Sequence, residues 1–231
     1  MLKMFSDDTH AHLISLLATY EHLKDYYLIF PWADGDLTRF WEVHHPNPVS
    51  DVATIKWVAE QCKGIAHGLV KIHTYQTSNS VCPNGAHEHR YGRHGDLKPE
   101  NILWFKDAKG GILKISDFGL SEYSTVHNRS KTISSVATSM SYRPPECDLR
   151  DGKVGPSYDI WTLGCLYLEF ITWLLGGWNL VKEFEKKRMS FDPIWYCMST
   201  DTFFELTVSQ QPEAIVAARV KPAVTDVSII A

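Results

Sequence analysis

The chain has 231 residues, 44% of them hydrophobic, enough to bury a core as one domain. Its formal net charge of −4 supplies no basic footprint, so nucleic acid is excluded as a default partner. Five scattered cysteines without a Cys-x-x-Cys pair fit reduced thiols of an intracellular protein, in cytoplasm or nucleus. The N-terminus turns acidic at Asp7-Asp8 and lacks the apolar core of a signal peptide.

In chain order, Leu13–Tyr20 and Tyr26–Phe30 are expected to form two strands joined by a charged turn. Pro31 to Leu37 breaks that pattern and leads into a helix at Thr38–Val43. From Val49 to His73, apolar residues recur at steps of three and four, which predicts an amphipathic helix with Ser50-Asp51 as its N-cap. The polar stretch Thr74–Arg93 is expected to be a solvated surface loop. It holds Cys82, His87 and His89, with His94 close behind; a zinc site is the alternative reading, but the spacing matches no common template.

Next comes His94-Gly95-Asp96-Leu97-Lys98-Pro99-Glu100-Asn101, followed by Asp117-Phe118-Gly119. Between them, Ile102–Phe105 and Ile112–Ile115 predict a hairpin turning at Lys109-Gly110-Gly111, which would bring Asn101 and Asp117 to neighbouring strand ends. Two acids, an amide and a lysine around one hairpin are what phosphoryl transfer from a metal-bound nucleotide requires. Further on stand Tyr142-Arg143-Pro144-Pro145-Glu146 and Asp159-Ile160-Trp161-Thr162-Leu163-Gly164. Ile160–Val181 carries one charge, Glu169, and is long enough for a membrane span or for the buried axis of a globular domain.

In order and spacing these four motifs resemble those of eukaryotic protein kinases, and the Lys-Pro-Glu-Asn form resembles the serine/threonine type. The resemblance implies an α+β, protein-kinase-like fold. Residues 1–231 would be one incomplete domain: about 10–37 the last two small-lobe strands and hinge, and 38–231 the mainly helical large lobe, with an insertion near 74–93. The apolar run after Asp159 then becomes the central large-lobe helix, with no membrane partner, ending near Gly176-Gly177.

Residue by residue, the resemblance makes Asp96 the group that orients the acceptor hydroxyl and takes its proton. Lys98 would reach the γ-phosphoryl group of ATP, and Ser139 would touch Asp96 and Lys98. Asn101 and Asp117 would hold Mg2+. Phe30, the backbone around Ala33, Asp36 and Leu103 would surround the nucleotide. His94 would stack on Phe118 of the Asp117-Phe118-Gly119 loop, with Leu16 above them. Glu146 normally pairs with a late arginine that this sequence does not reveal, and Asp159 opens the central helix. Gly95 stands where regulated kinases carry an arginine that reads a phosphate on the activation segment, which argues against that mode of control.

No Gly-x-Gly-x-x-Gly, Val-Ala-Ile-Lys strand or following glutamate-bearing helix occurs. The expectation is a domain truncated at both ends, with exposed apolar strand faces that a partner protein covers. The implied function is ATP-dependent phosphorylation of serine or threonine in a protein substrate; the alternative is a truncated or non-catalytic kinase-like module that acts by protein binding. Phosphorylation of a small molecule is a third reading. In the tail, helices are expected around Thr202–Leu206 and Glu213–Arg219.

Overall fold

The computed structural model describes residues 10–74, 90–118, 122–125, 139–149, 155–194, 198–208 and 215–226. Strands β1 (Ala18–His22) and β2 (Asp25–Ile29) form an antiparallel hairpin. It turns through Leu23 and Lys24, both at positive φ. That is the primed geometry a two-residue turn needs to match strand twist. Every residue of both strands is exposed, with Tyr20 and Tyr27 stacked across the pair. The apolar run expected to be one strand from Leu13 divides in two. Leu13 and Ile14 are buried, and backbone bonds to Ile115 dock them on the sheet below; Leu17 is exposed.

That sheet has the order β3 (Gly35–Asp36), β5 (Ile102–Phe105), β6 (Ile112–Ile115), all antiparallel. β5 and β6 occupy the expected residues and bury alternate side chains. The expected helix at Thr38–Val43 is a short α1 (Leu37–Arg39) running into a π-helical turn, Phe40–His44.

Helix α2 (Val52–Thr74) starts where Asp51 accepts the Thr54 N–H at 2.7 Å. It buries Val58, Gln61, Ile65, Gly68, Leu69 and Ile72, whereas Val52 and Ile55 in its first turn are exposed. The helix carries through Thr74, and Arg90–Arg93 forms strand β4, paired with β7 (Glu122–Thr125). The expected loop over Thr74–Arg93 is therefore wrong at both ends: ladder hydrogen bonds override the polar composition of Arg90–Arg93. Cys82, His87 and His89 lie outside the described residues, and those described contain no metal-sized cluster of His, Cys, Asp and Glu.

Helix α3 (Ser157–Arg188) is long and apolar enough to cross a membrane by length and composition. Here Leu163, Leu166, Phe170, Trp173 and Val181 pack into one core with α1, α2, β5 and β6. As expected, the helical backbone breaks off at Gly176-Gly177, both at non-helical angles, and a second helical segment follows the kink to Arg188. Gly177 sits at φ +69, and a Cβ there would lie 2.3 Å from the Pro46 carbonyl, which accepts the Trp178 N–H at 2.8 Å. Only glycine fits that approach.

The tail corrects the two expected helices. Phe204–Val208 is β10 and Ile215–Val220 is β11, an antiparallel pair preceded by short β8 (Ser190–Phe191) and β9 (Ser199–Thr200). Ala217, Ala218 and Arg219 favour helix, but β-branched Ile215 and Val220 and the cross-strand ladder decide the outcome. A last turn, α4 (Pro222–Thr225), lies on α3. Lys221, 4% exposed, donates to the carbonyls of Arg188 (2.6 Å) and Thr200 (3.1 Å). Burial lowers its pKa to about 8. Between that value and the ordinary lysine range the unfolded chain binds the extra proton, so stability should rise as pH increases through this window. Denaturant midpoints at pH 7.5 and 9.5 check this: the increase should be absent in Lys221→Met.

Candidate functional site

The segment from Arg93 to Asn101 is pinned from below. Asp159, fully buried in the first turn of α3, accepts the N–H groups of His94 (2.7 Å) and Gly95 (2.9 Å). His73, at the end of α2, meets the same carboxylate at 2.7 Å. Gly95 is at φ +86, which exposes consecutive amides to one carboxylate; an L-residue there is strained. Gly95→Ala should therefore lower stability by about 1 kcal/mol, visible as a lower denaturant midpoint with an unchanged slope.

The His94 ring is buried and donates from Nε2 to the Ser116 carbonyl at 2.8 Å, leaving Nδ1 to accept the Asp96 N–H at 3.3 Å. Burial pushes its pKa down, and both bonds fit the neutral ring. Its edge meets Phe118 with 5.2 Å between centroids. Leu16 and Phe118 both pack against the main core.

Above this platform, Asn101 directs its amide N–H groups to the Asp96 carbonyl (2.8 Å) and to Asp96 Oδ2 (2.9 Å). Lys98 Nζ lies 2.8 Å from the same Oδ2. One carboxylate oxygen is thus held on two sides. The orientation leaves Asn101 Oδ1 without a donor among the described residues, and Ser116 N–H and Oγ both donate to the Asn101 carbonyl. Asp117 follows in left-handed conformation, φ +56, which aspartate tolerates, and its side chain is exposed. An amide oxygen and a carboxylate are the hard donors a divalent cation such as Mg2+ takes.

On the other side of β5, Asp34 N–H bonds the Trp104 carbonyl, and Asp36 pairs with Leu103 across the ladder. Asp36 also caps α1 by accepting the Arg39 N–H at 2.8 Å. Leu103 and Ala33 are half-buried, and Phe30 is 38% exposed. The structure therefore brings Ala33, Asp36 and Leu103 to one edge, with Phe30 at the end of the hairpin strand.

Two expected contacts are not made. Ser139 forms no hydrogen bond to Asp96 or Lys98 among the described residues; its segment is held by Ser141 Oγ donating to Asp201 and by Arg143 donating to the Met140 carbonyl. Glu146 has no arginine partner among the described residues; Arg188, late in α3, pairs with Glu169 (2.8 Å). Gly119 lies outside the described residues.

Several supporting residues escaped the sequence reading. Arg143 joins the Met140 carbonyl, Asp148 and Asp192, and Tyr142 donates to Glu169 at 2.6 Å. Only a charge inside an apolar run, Glu169, hinted at them.

The family model for the protein kinase domain matches residues 1–188. Mouse (Mus musculus) cyclin-dependent kinase-like 4 is 29% identical over 171 residues, covering 74% of this chain and 42% of that protein. Cyclin-dependent kinase B1-1 of Arabidopsis thaliana is 32% identical over 149 residues, covering 63% of this chain and 41% of the relative. Cell division control protein 2 homolog C of Antirrhinum majus gives the same shares at 32% identity. The chain spans about two fifths of the length of these relatives.

Proposed function

Because this chain belongs to the protein kinase family, we propose that it transfers the γ-phosphoryl group of ATP to a serine or threonine hydroxyl of a protein. The observation that carries this reading is the Asp96 carboxylate, fixed by Asn101 and Lys98 over the buried Asp159 anchor. In this reading Asp96 Oδ1 receives the acceptor hydroxyl while Oδ2 stays held by Asn101 and Lys98. The hydroxyl oxygen bonds to the γ-phosphorus as the bond to the β–γ bridging oxygen breaks. The hydroxyl proton passes to Asp96, and ADP leaves.

Lys98 exchanges its contact with Asp96 for the transferring phosphoryl oxygens, whose growing charge it offsets. Asn101 Oδ1 and Asp117 are the residues that would hold Mg2+, which supplies charge neutralisation at the phosphates. Ala33, Asp36 and Leu103 line the edge against which the nucleotide lies. The exposed apolar hairpin β1–β2 supports the further reading that a partner protein covers this side.

The test is transfer of labelled phosphate from Mg-ATP to a generic serine/threonine protein substrate. Transfer should fall by about 10²-fold or more in Asp96→Asn, the loss expected of a missing general base. Soluble, folded protein with no transfer, or transfer equal in the variant, rejects this reading.

A further inference from the structure

Away from the Asp96 site, the tip of the β5–β6 hairpin and the start of α2 line a pocket of about 390 Å³. Small-ligand pockets span about 300–1,000 Å³. Its walls carry the rings of Phe40, His45, Trp57 and Trp173. Phe40 (3% exposed) and Trp173 (2%) are buried, and they back the two rings that still meet solvent, His45 and Trp57. Ring centroids lie 5.3 Å apart for Phe40 and Trp57, and 4.5 Å apart for Phe40 and His45.

The lining is fixed by hydrogen bonds behind it. Trp57 Nε1 donates to the Gly111 carbonyl at 2.8 Å, and Trp173 Nε1 to the His45 carbonyl at 2.7 Å. Asp107 accepts the N–H groups of Lys109 (2.6 Å) and Gly111 (2.8 Å), which shapes the hairpin tip against Trp57. Both indole N–H groups are thus engaged, and these rings offer a ligand only their carbon surface.

Among the described residues the lining holds one carboxylate, Asp51, and one ammonium, Lys109. Hydrogen bonds from Thr54 hold the Asp51 carboxyl below its ordinary pKa, so it is ionised. A carboxylate has about four acceptor sites, so capping α2 does not use them all. His45 adds no charge at neutral pH, because partial burial, then His44 and Lys106, lower its pKa. An aromatic lining with one charge of each sign is complementary to a small zwitterion that carries a ring.

We propose that this pocket binds a free aromatic amino acid, its ring against Trp57 and His45, its ammonium on Asp51 and its carboxylate on Lys109. Only the free amino acid carries both charges on one α-carbon, since peptide bonds remove them. A ligand with one charge leaves the other rim group to water, and one without a ring forgoes the aromatic contact. The proposal does not depend on phosphoryl transfer, because no lining residue belongs to the Asp96 site.

The probe is tryptophan, titrated by calorimetry into the whole chain at neutral pH. Three analogues run beside it: tryptamine (cation only), indole-3-propionate (anion only) and leucine (no ring). Tryptophan should bind saturably, tighter than leucine and about tenfold or more tighter than either indole analogue, the loss of one charge-assisted bond. Asp51→Asn keeps the α2 cap, because asparagine caps as well as aspartate. It should bring tryptophan down to the affinity of indole-3-propionate and leave indole-3-propionate unchanged. Lys109→Met should bring tryptophan down to tryptamine in the same way. Absence of saturable binding overturns the proposal, as does tryptophan binding no tighter than the analogues. So does an advantage of tryptophan that survives both variants, which would place the ligand elsewhere on the chain.

Discussion

Asp159→Ala should destabilise the protein by about 3–5 kcal/mol, the range for removing one partner of a buried charged network. The size follows from what the carboxylate holds. It accepts the amides of His94 and Gly95 and meets His73, all in a site where water cannot replace it. Each buried donor left without an acceptor costs about 1–3 kcal/mol. Asp159→Asn is no milder substitute, because its NH2 group turns a donor toward one of those amides. Denaturant unfolding measures the total, and amide exchange locates it: His94 and Gly95 should lose protection first. His73→Ala removes one partner and keeps the two amide bonds, so it should cost about 1 kcal/mol. If phosphoryl transfer is detected in the parent chain, Asp159→Ala should lose it at temperatures where the rest of the domain is still folded. Asp96 and Asn101 sit on the backbone that Asp159 anchors.

The second large effect is expected at Arg188, 1% exposed, packed against the rings of both Phe184 and Phe203 and bonded to Glu169 at 2.8 Å. Arg188→Met should cost about 3–5 kcal/mol by leaving the Glu169 carboxylate buried without its cation. Adding Glu169→Gln should restore at least about 1 kcal/mol, since the uncompensated charge is gone. The pH dependence is a further check. Burial raises the Glu169 carboxyl, and without the arginine nothing opposes that rise. A carboxyl whose folded value lies above its unfolded value favours folding at low pH, so the deficit of Arg188→Met should narrow as pH falls toward 5. A deficit independent of pH, with no recovery in the double variant, would show that ring packing rather than charge dominates at Arg188. Tyr142 donates to the same carboxylate, so this variant should also loosen the turn carrying Glu146.

Legibility from sequence followed the range of the interactions. Helix α2, its Asp51 cap and the β5–β6 hairpin were readable because periodicity and turn residues act within a few positions. The order of the four motifs was readable for the same reason, and the family match bears out that recognition. The tail was misread as helical. Pairing Phe204 with Val220 joins residues sixteen positions apart, and a single-sequence pattern gives no register for such a ladder. Arg90–Arg93 failed likewise, since its strand partner is Glu122–Thr125.

The candidate site divides along the same line. Asp96, Lys98 and Asn101 stand within five residues of one another, so local sequence determined that an acid, a lysine and an amide would share one loop. The sequence by itself also determined where α2, β5 and β6 lie and which charge, Glu169, breaks the apolar run of α3. Only the tertiary structure decided that Asp159 holds the loop from beneath, that Arg188 takes Glu169, and that Ser141 bonds Asp201. A buried charge requires a partner, but which partner depends on which elements pack together. That choice is made by close packing across the whole core, beyond the reach of local spacing.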